Sequence, residues 1–193
     1  MSGIVYRVPS LRISDIRDKA NQLREMLGLS GEPQFPIMDV LELILDNKLD
    51  VLRLEIWEDK HLQGAEGLTF KDDEGVDRIV LPESVYSKAL DGDGRSRFTA
   101  AHELGHWVLH SRCVLTRVSE KDLRGAFENS EWQANCFAAE ILMPTDFVYA
   151  DDGTFDLVER FAVSNAAAEN RLRSLRKRNV NLKRKPPRVR GGF

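Results

Sequence analysis

The stretch that most constrains this chain is Arg97-Phe98-Thr99-Ala100-Ala101-His102-Glu103-Leu104-Gly105-His106-Trp107-Val108-Leu109-His110, which holds three of the four histidines. At 3.6 residues per turn, His102 and His106 fall on the same helix face about one turn apart. Two imidazoles so placed can share a tetrahedral Zn²⁺ at about 2.0–2.1 Å each. Glu103, beside the first of them, is positioned to serve as general base toward a water that the metal activates. The flanking residues Phe98, Ala101, Leu104, Val108 and Leu109 are apolar or small, so the helix faces a core. Two histidines and a glutamate on such a helix are costly to bury without a metal or hydrogen-bond partners. Gly105, in the helix interior, costs about 1 kcal/mol relative to alanine and implies close packing at that point.

A third ligand is required. The arrangement HExxHxxGxxH is closed to this chain, because Leu109 and Arg112 occupy the glycine and final histidine positions. His110 lies about 12 Å along the axis from His102, beyond reach of the same ion. It is read as a solvent-facing or capping residue. The other route takes a carboxylate from a second helix, and Glu131 to Met143, ending at Pro144, is rich in helix formers. Glu131 and Asn135 are one turn apart and can both face the metal helix. Glu131 is the expected ligand, and Asn135 is expected to fix a ligand histidine's tautomer through its other ring nitrogen. Glu140 is the rival, but it lies nine residues further on, far along the axis from Glu131.

These paired segments, Arg-Phe-Thr-x-Ala-His-Glu-Leu-Gly-His-Trp-x-Leu-His and Glu-x-x-Ala-Asn-x-Phe-Ala-Ala-x-Ile-Leu-Met-Pro, resemble the ImmA/IrrE family of metallopeptidases. The resemblance covers roughly residues 36–175. It implies an α+β, zincin-like fold: a small, mostly antiparallel sheet packed on helices, with the HExxH helix beside a second ligand helix. It implies zinc on His102, His106 and Glu131, with Glu103 as the catalytic base. It also implies a cytoplasmic protein that cleaves a helix-turn-helix repressor encoded beside it, or that forms a toxin–antitoxin-like pair with one.

Composition is consistent with one ordinary domain. The 193 residues are 42% hydrophobic and 31% charged, enough for a single core. No apolar run approaches a membrane span, and the first residues lack a signal-peptide pattern, so a cytoplasmic location is expected. Cys113 and Cys136 make no disulfide framework and have no CxxC spacing; Cys136 reads as a small core residue. From Arg171 onward there are ten Lys/Arg and no Asp/Glu, against 18 basic and 31 acidic side chains before it. Such a basic end can bind nucleic acid, although a solvated terminus is the plainer reading.

Three segments are expected: residues 1–35 as an N-terminal arm and helix, 36–178 as the peptidase domain, and 179–193 as a flexible basic tail. Helical periodicity covers Ser14–Leu27, with Ser14 or Asp15 as cap, and resumes over Pro36–Leu45. Leu49–Trp57 reads as a strand, and Gly67-Leu68-Thr69-Phe70 with Asp77–Leu81 as a hairpin around Lys71–Gly75. The Asp77–Leu81 strand is expected to be the sheet edge that pairs with an extended substrate. Asp91-Gly92-Asp93-Gly94 is not a calcium loop, since Arg95 and His102 stand where an EF-hand needs ligands. The polar connection from Cys113 to Ser130 is expected to carry specificity. Residues 155–175 read as two helices around Val163-Ser164, a helix-turn-helix-like shape that is either a DNA reader or the peptidase's own C-terminal helices. Tyr86, Tyr149, His61 and Arg117 are candidates for stabilising an oxyanion. Zinc-dependent endopeptidase is therefore the leading function, ahead of a zincin-fold binding partner and a DNA-binding regulator.

Overall fold

The computed structural model describes residues 4–185. Strand β1 (Ile4–Arg7) leads to helix α1 (Ile13–Met26), which buries Ile16, Ala20 and Leu23 along one face. Asp15 acts from inside the first turn rather than as the cap, accepting from the Arg12 N–H at 2.9 Å. Gly28 ends the helix with φ +72°, a conformation glycine adopts without strain. The second helical segment starts as α2 (Ile37–Asp39) and widens into a π-helical stretch, Val40–Lys48, turning Val40, Leu41 and Leu45 inward.

A three-stranded sheet follows, formed by β2 (Arg53–Trp57), β3 (Leu68–Lys71) and β4 (Asp77–Pro82) in the order β2-β4-β3. The hairpin falls where the sequence places it, with β3 antiparallel to β4. β2, however, runs parallel to β4 on its other side. This overturns the expectation that Asp77–Leu81 is an edge. The reason is visible in the residues: Ile79, Val80 and Leu81 are consecutive apolar side chains, all buried, as in a strand covered on both faces. The free edge beside the metal helix belongs to β3. A second pairing, antiparallel, joins β1 to β5 (Thr116–Ser119) and ties the N-terminal arm to the connection between the two motif helices.

Helices α3 (Glu83–Leu90), α4 (Gly94–His110) and α5 (Ser130–Leu142) carry the centre of the molecule, followed by α6 (Thr154–Phe161) and α7 (Asn165–Lys177). The protein is thus α+β, with two small sheets against a helical body. Asp93 caps α4, accepting from the Ser96 N–H at 2.8 Å, and Ser164 caps α7, accepting from the Ala167 N–H at 3.2 Å. The helix-turn-helix-like corner between α6 and α7 is packed onto the start of α4. A Cβ on Gly94 would lie 2.3 Å from Ser164 N, and Arg97 Nε donates to the Ala162 carbonyl at 3.0 Å. Past α7, Ala150 N donates to the Lys183 carbonyl at 2.8 Å and Lys185 bridges Asp152 and Asp156. The rest of the expected tail, residues 186–193, lies outside the described residues. Among the described residues, no helix is long and apolar enough to cross a membrane.

On the side of α5 away from α4, the buried Glu140 accepts from Arg171 at 2.7 Å and from both Arg17 Nε and Nη2 at 3.1 and 3.2 Å. One carboxylate therefore ties α1, α5 and α7 together. Burial alone would raise its pKa, but the guanidinium of Arg171, with that of Arg17, holds it below the ordinary value of 4.5. A carboxyl depressed in the fold contributes stability that is complete above the unfolded pKa and lost as pH falls through the lower folded value. Glu140→Gln leaves the guanidiniums without their charge partner, so urea denaturation near neutral pH should show a loss of about 3–5 kcal/mol. The deficit should shrink as wild type is titrated below about pH 4.5.

Candidate metal centre

Three elements converge on the centre. α4 presents His102 and His106 one turn apart, and α5 crosses it closely enough that a Cβ on Gly105 would lie 3.1 Å from the Ala134 carbonyl oxygen. Asn129 caps α5, accepting from the Glu131 N–H at 2.9 Å. Glu131 therefore sits in the first turn, where the positive end of the helix favours a carboxylate. β3 closes the third side. A cleft of about 310 Å³ opens above them, lined by Gly67, Phe98, Thr99, His102, Glu103 and Glu131.

The two Nε2 atoms of His102 and His106 are 3.0 Å apart. Glu131 brings Oε2 to 3.2 Å of the first and Oε1 to 3.3 Å of the second. A tetrahedron whose corners lie about 2.0–2.1 Å from its centre has edges of about 3.3–3.4 Å, so these separations suit one metal ion among nitrogen and oxygen donors. The remaining hydrogen bonds support the same reading. His102 Nδ1 faces Asn135 Oδ1 at 3.1 Å, and only an N–H can donate to that oxygen, which leaves Nε2 as a bare acceptor in the neutral ring. Acceptors aimed at one point repel one another unless a cation lies between them.

Charge at the centre follows. His102 is raised above its ordinary pKa: burial opposes its charged form, and the hydrogen bond to Glu131, the charges of Glu103 and Glu131 and the hydrogen bond to Asn135 together outweigh it. Glu131 is held far below the usual carboxylate range by hydrogen bonds to both histidines. The His102 ring thus favours its protonated form and Glu131 its charged form where a cation fits, and metal uptake is expected to displace the histidine proton. Glu103 shifts the opposite way, since burial raises it and the hydrogen bond from Thr69 only partly compensates. Thr69 Oγ donates to Glu103 Oε2 at 2.7 Å. A Cβ on Gly67 would lie 2.7 Å from Glu103 Oε1, so only glycine leaves room for the carboxylate here.

Every residue expected in the centre from the two motifs is brought together there: His102, Glu103, His106, Glu131 and Asn135. The rival Glu140 is committed to the arginine network. His110 is a correction. Read as solvent-facing or capping, it is buried, at 5% exposure, with Nδ1 3.2 Å from His106 Nδ1 and Nε2 3.0 Å from Gln133 Oε1. It lies one turn beyond His106 on the same stripe, so it is out of reach as a ligand yet in contact with one. The 102/106/110 spacing carried that signal. Burial lowers its pKa to about 4, which keeps the ring neutral. Gly67, just before β3, and Thr69, within it, are far from α4 in the chain, and nothing local to the helix marks their approach to Glu103. None of the four oxyanion candidates lines the cleft. Tyr86 donates to Glu42 at 2.9 Å, and Tyr149 packs under the Arg160 guanidinium at 4.9 Å. Cys136 is partly buried, and its thiol is pushed up to about 11 by that burial.

A paired-helix α+β fold with this donor set has the arrangement of a zincin-like domain. The family model for peptidase M78, the IrrE N-terminal-like domain, matches residues 62–173 and so takes in α4, α5 and the β3 edge. The chain belongs to that family, in agreement with the resemblance of its motifs. A comparison with curated proteins returns no match.

Removing any one donor should empty the centre. His102→Ala, His106→Ala and Glu131→Ala are each expected to fall from about one metal equivalent per chain to near zero after dialysis against a weak chelator, as read by elemental analysis.

Proposed function

We propose that the protein is a zinc-dependent endopeptidase acting on a protein partner, and that its substrate is a helix-turn-helix repressor encoded nearby. The observation that carries the reading is the buried Glu103 carboxylate, held by Thr69 of the free β3 edge directly beside the His102–His106–Glu131 trio. Family membership supplies the reaction class, and the resemblance of the motifs supplies the repressor. The two-nitrogen, one-oxygen donor set is one that zinc uses in catalytic sites with an open position. A cytoplasmic location goes with such a substrate.

Bound there, the ion would supply Lewis acidity, polarising a scissile carbonyl and making water more acidic. The chain's own groups do the rest. His102, His106 and Glu131 would hold the ion, and Asn135 orients the His102 ring. The β3 edge can take an extended segment of substrate by main-chain hydrogen bonds, which places the interior of a chain across the cleft. Glu103 accepts the proton of the attacking water and returns it to the leaving amine nitrogen. Its raised pKa brings it closer to neutrality, as a base that must both take and give a proton requires. Thr69 keeps Oε2 engaged, so Oε1, in the space beside Gly67, is the oxygen left to carry that proton.

Incubating the zinc-loaded protein with the neighbouring repressor, and sizing fragments by mass spectrometry, tests the reading directly. Glu103→Gln should retain zinc and lose about 10²–10⁴-fold in cleavage rate. Unchanged turnover in that variant would remove Glu103 from the mechanism. Gly67→Ala, which displaces the carboxylate without touching a donor, should cost about 10²-fold with zinc content unaltered.

A further inference from the structure

The deepest side chains around the centre form a line that runs from the N-terminal arm to His106. Gln133, fully buried, donates from Nε2 to the Pro9 carbonyl at 2.9 Å and to the Phe127 carbonyl at 2.7 Å. An amide whose NH₂ is engaged by two carbonyl oxygens has its flip decided, and its own oxygen must face the other way. That oxygen lies 3.0 Å from His110 Nε2, which therefore carries a hydrogen. A neutral imidazole protonated on Nε2 has a bare Nδ1, and His110 Nδ1 faces His106 Nδ1 at 3.2 Å. The hydrogen in that contact belongs to His106, whose Nε2 is left with its lone pair directed toward His102 and Glu131.

We infer that Gln133 and His110 are positioning residues that hold His106 in its Nδ1–H tautomer, so that Nε2 is free to bind the metal. The free neutral side chain prefers the opposite tautomer, which would put a hydrogen where the ion belongs. The reference points of the relay are two backbone carbonyls. One of them, at Pro9, lies in the arm before α1 and outside the family-matched residues 62–173. The arm is itself fixed to the connection before α5: Val8 N donates to the Glu128 carbonyl at 2.9 Å and Leu11 N to the Phe127 carbonyl at 3.3 Å. The two ligand histidines are thus oriented independently, His102 by Asn135 and His106 by this relay.

The inference rests on the metal reading of the centre and is separable from peptidase activity, since zinc uptake without any cleavage leaves it intact. Two-bond ¹H–¹⁵N correlation spectra of the metal-free protein, recorded above the histidine titration range, report the tautomer of each ring. In wild type, His106 should be protonated on Nδ1 and His110 on Nε2. His110→Phe and Gln133→Leu should each release His106 toward the Nε2–H form while His102 keeps its Nδ1–H state. Asn135→Ala should do the reverse. Zinc affinity, measured by chelator competition, should fall about 10–100-fold in each variant. A merely structural role would disturb both rings or neither. His106 protonated on Nε2 in wild type overturns the inference even where the variants fail to fold. So does an unchanged His106 tautomer with unchanged zinc affinity in His110→Phe and Gln133→Leu, and so does a wild-type protein that takes up no zinc.

Discussion

The contact on which the rest depends is the crossing of α4 and α5 at Gly105 and Ala134. With a Cβ on Gly105 only 3.1 Å from the Ala134 carbonyl and 3.2 Å from Phe137 Cβ, any larger residue would wedge the helices apart. Glycine in a helix interior costs about 1 kcal/mol relative to alanine. Burial of Leu104, Ala101, Phe137, Ala138 and Ile141 along the same seam offsets that many times over. The geometry then follows from helical repeats alone. His102 and His106 flank Gly105 on one helix, and Glu131 lies three residues before Ala134 on the other, so the closest point of the crossing sets the His–Glu separations of 3.2 and 3.3 Å.

Two glutamates within this centre are pushed in opposite directions by their surroundings. Glu131 is partly open to solvent but bonded to two imidazoles, which stabilise its charge. Glu103 is buried with a single hydroxyl donor, and burial raises it. Identical side chains thereby acquire environments suited to the distinct roles proposed for them, ligand and base, the pattern by which acid and base assignments separate in carboxylate sites generally.

How much was legible in the sequence divides along the range of the interactions. Helical spacing joined His102 to His106, apposed Glu131 and Asn135 to them, and marked Gly105 as a close approach. The break at Val163-Ser164 marked the start of α7, and the β3–β4 hairpin announced itself by its turn. What escaped was carried by partners far apart in the chain. The parallel pairing of β2 on β4 is one such case, although the unbroken Ile79-Val80-Leu81 run pointed to burial on both faces. Gly67 and Thr69 approach Glu103 from 36 and 34 residues away. His110 is too far from His102 to share an ion with it, and what its spacing does indicate is the turn that separates it from His106, whose Nδ1 it faces at 3.2 Å.

α5 is held from both sides, and this bears on how the centre keeps its geometry. One face meets α4 through the small-residue crossing and the donor trio. The other anchors Glu140 to Arg17 of α1 and Arg171 of α7. A ligand carried on a helix fixed by a single contact can drift by the fraction of an ångström that separates a competent site from a loose one. Here a shift of α5 toward either side strains the opposite anchor. The N-cap Asn129, the turn before it and Gln133 add a third attachment at the end of the helix where Glu131 sits. The precision of the centre is thus a property of α5 as a body, and residues outside the two motifs, Arg17, Pro9 and Arg171 among them, have a direct part in it.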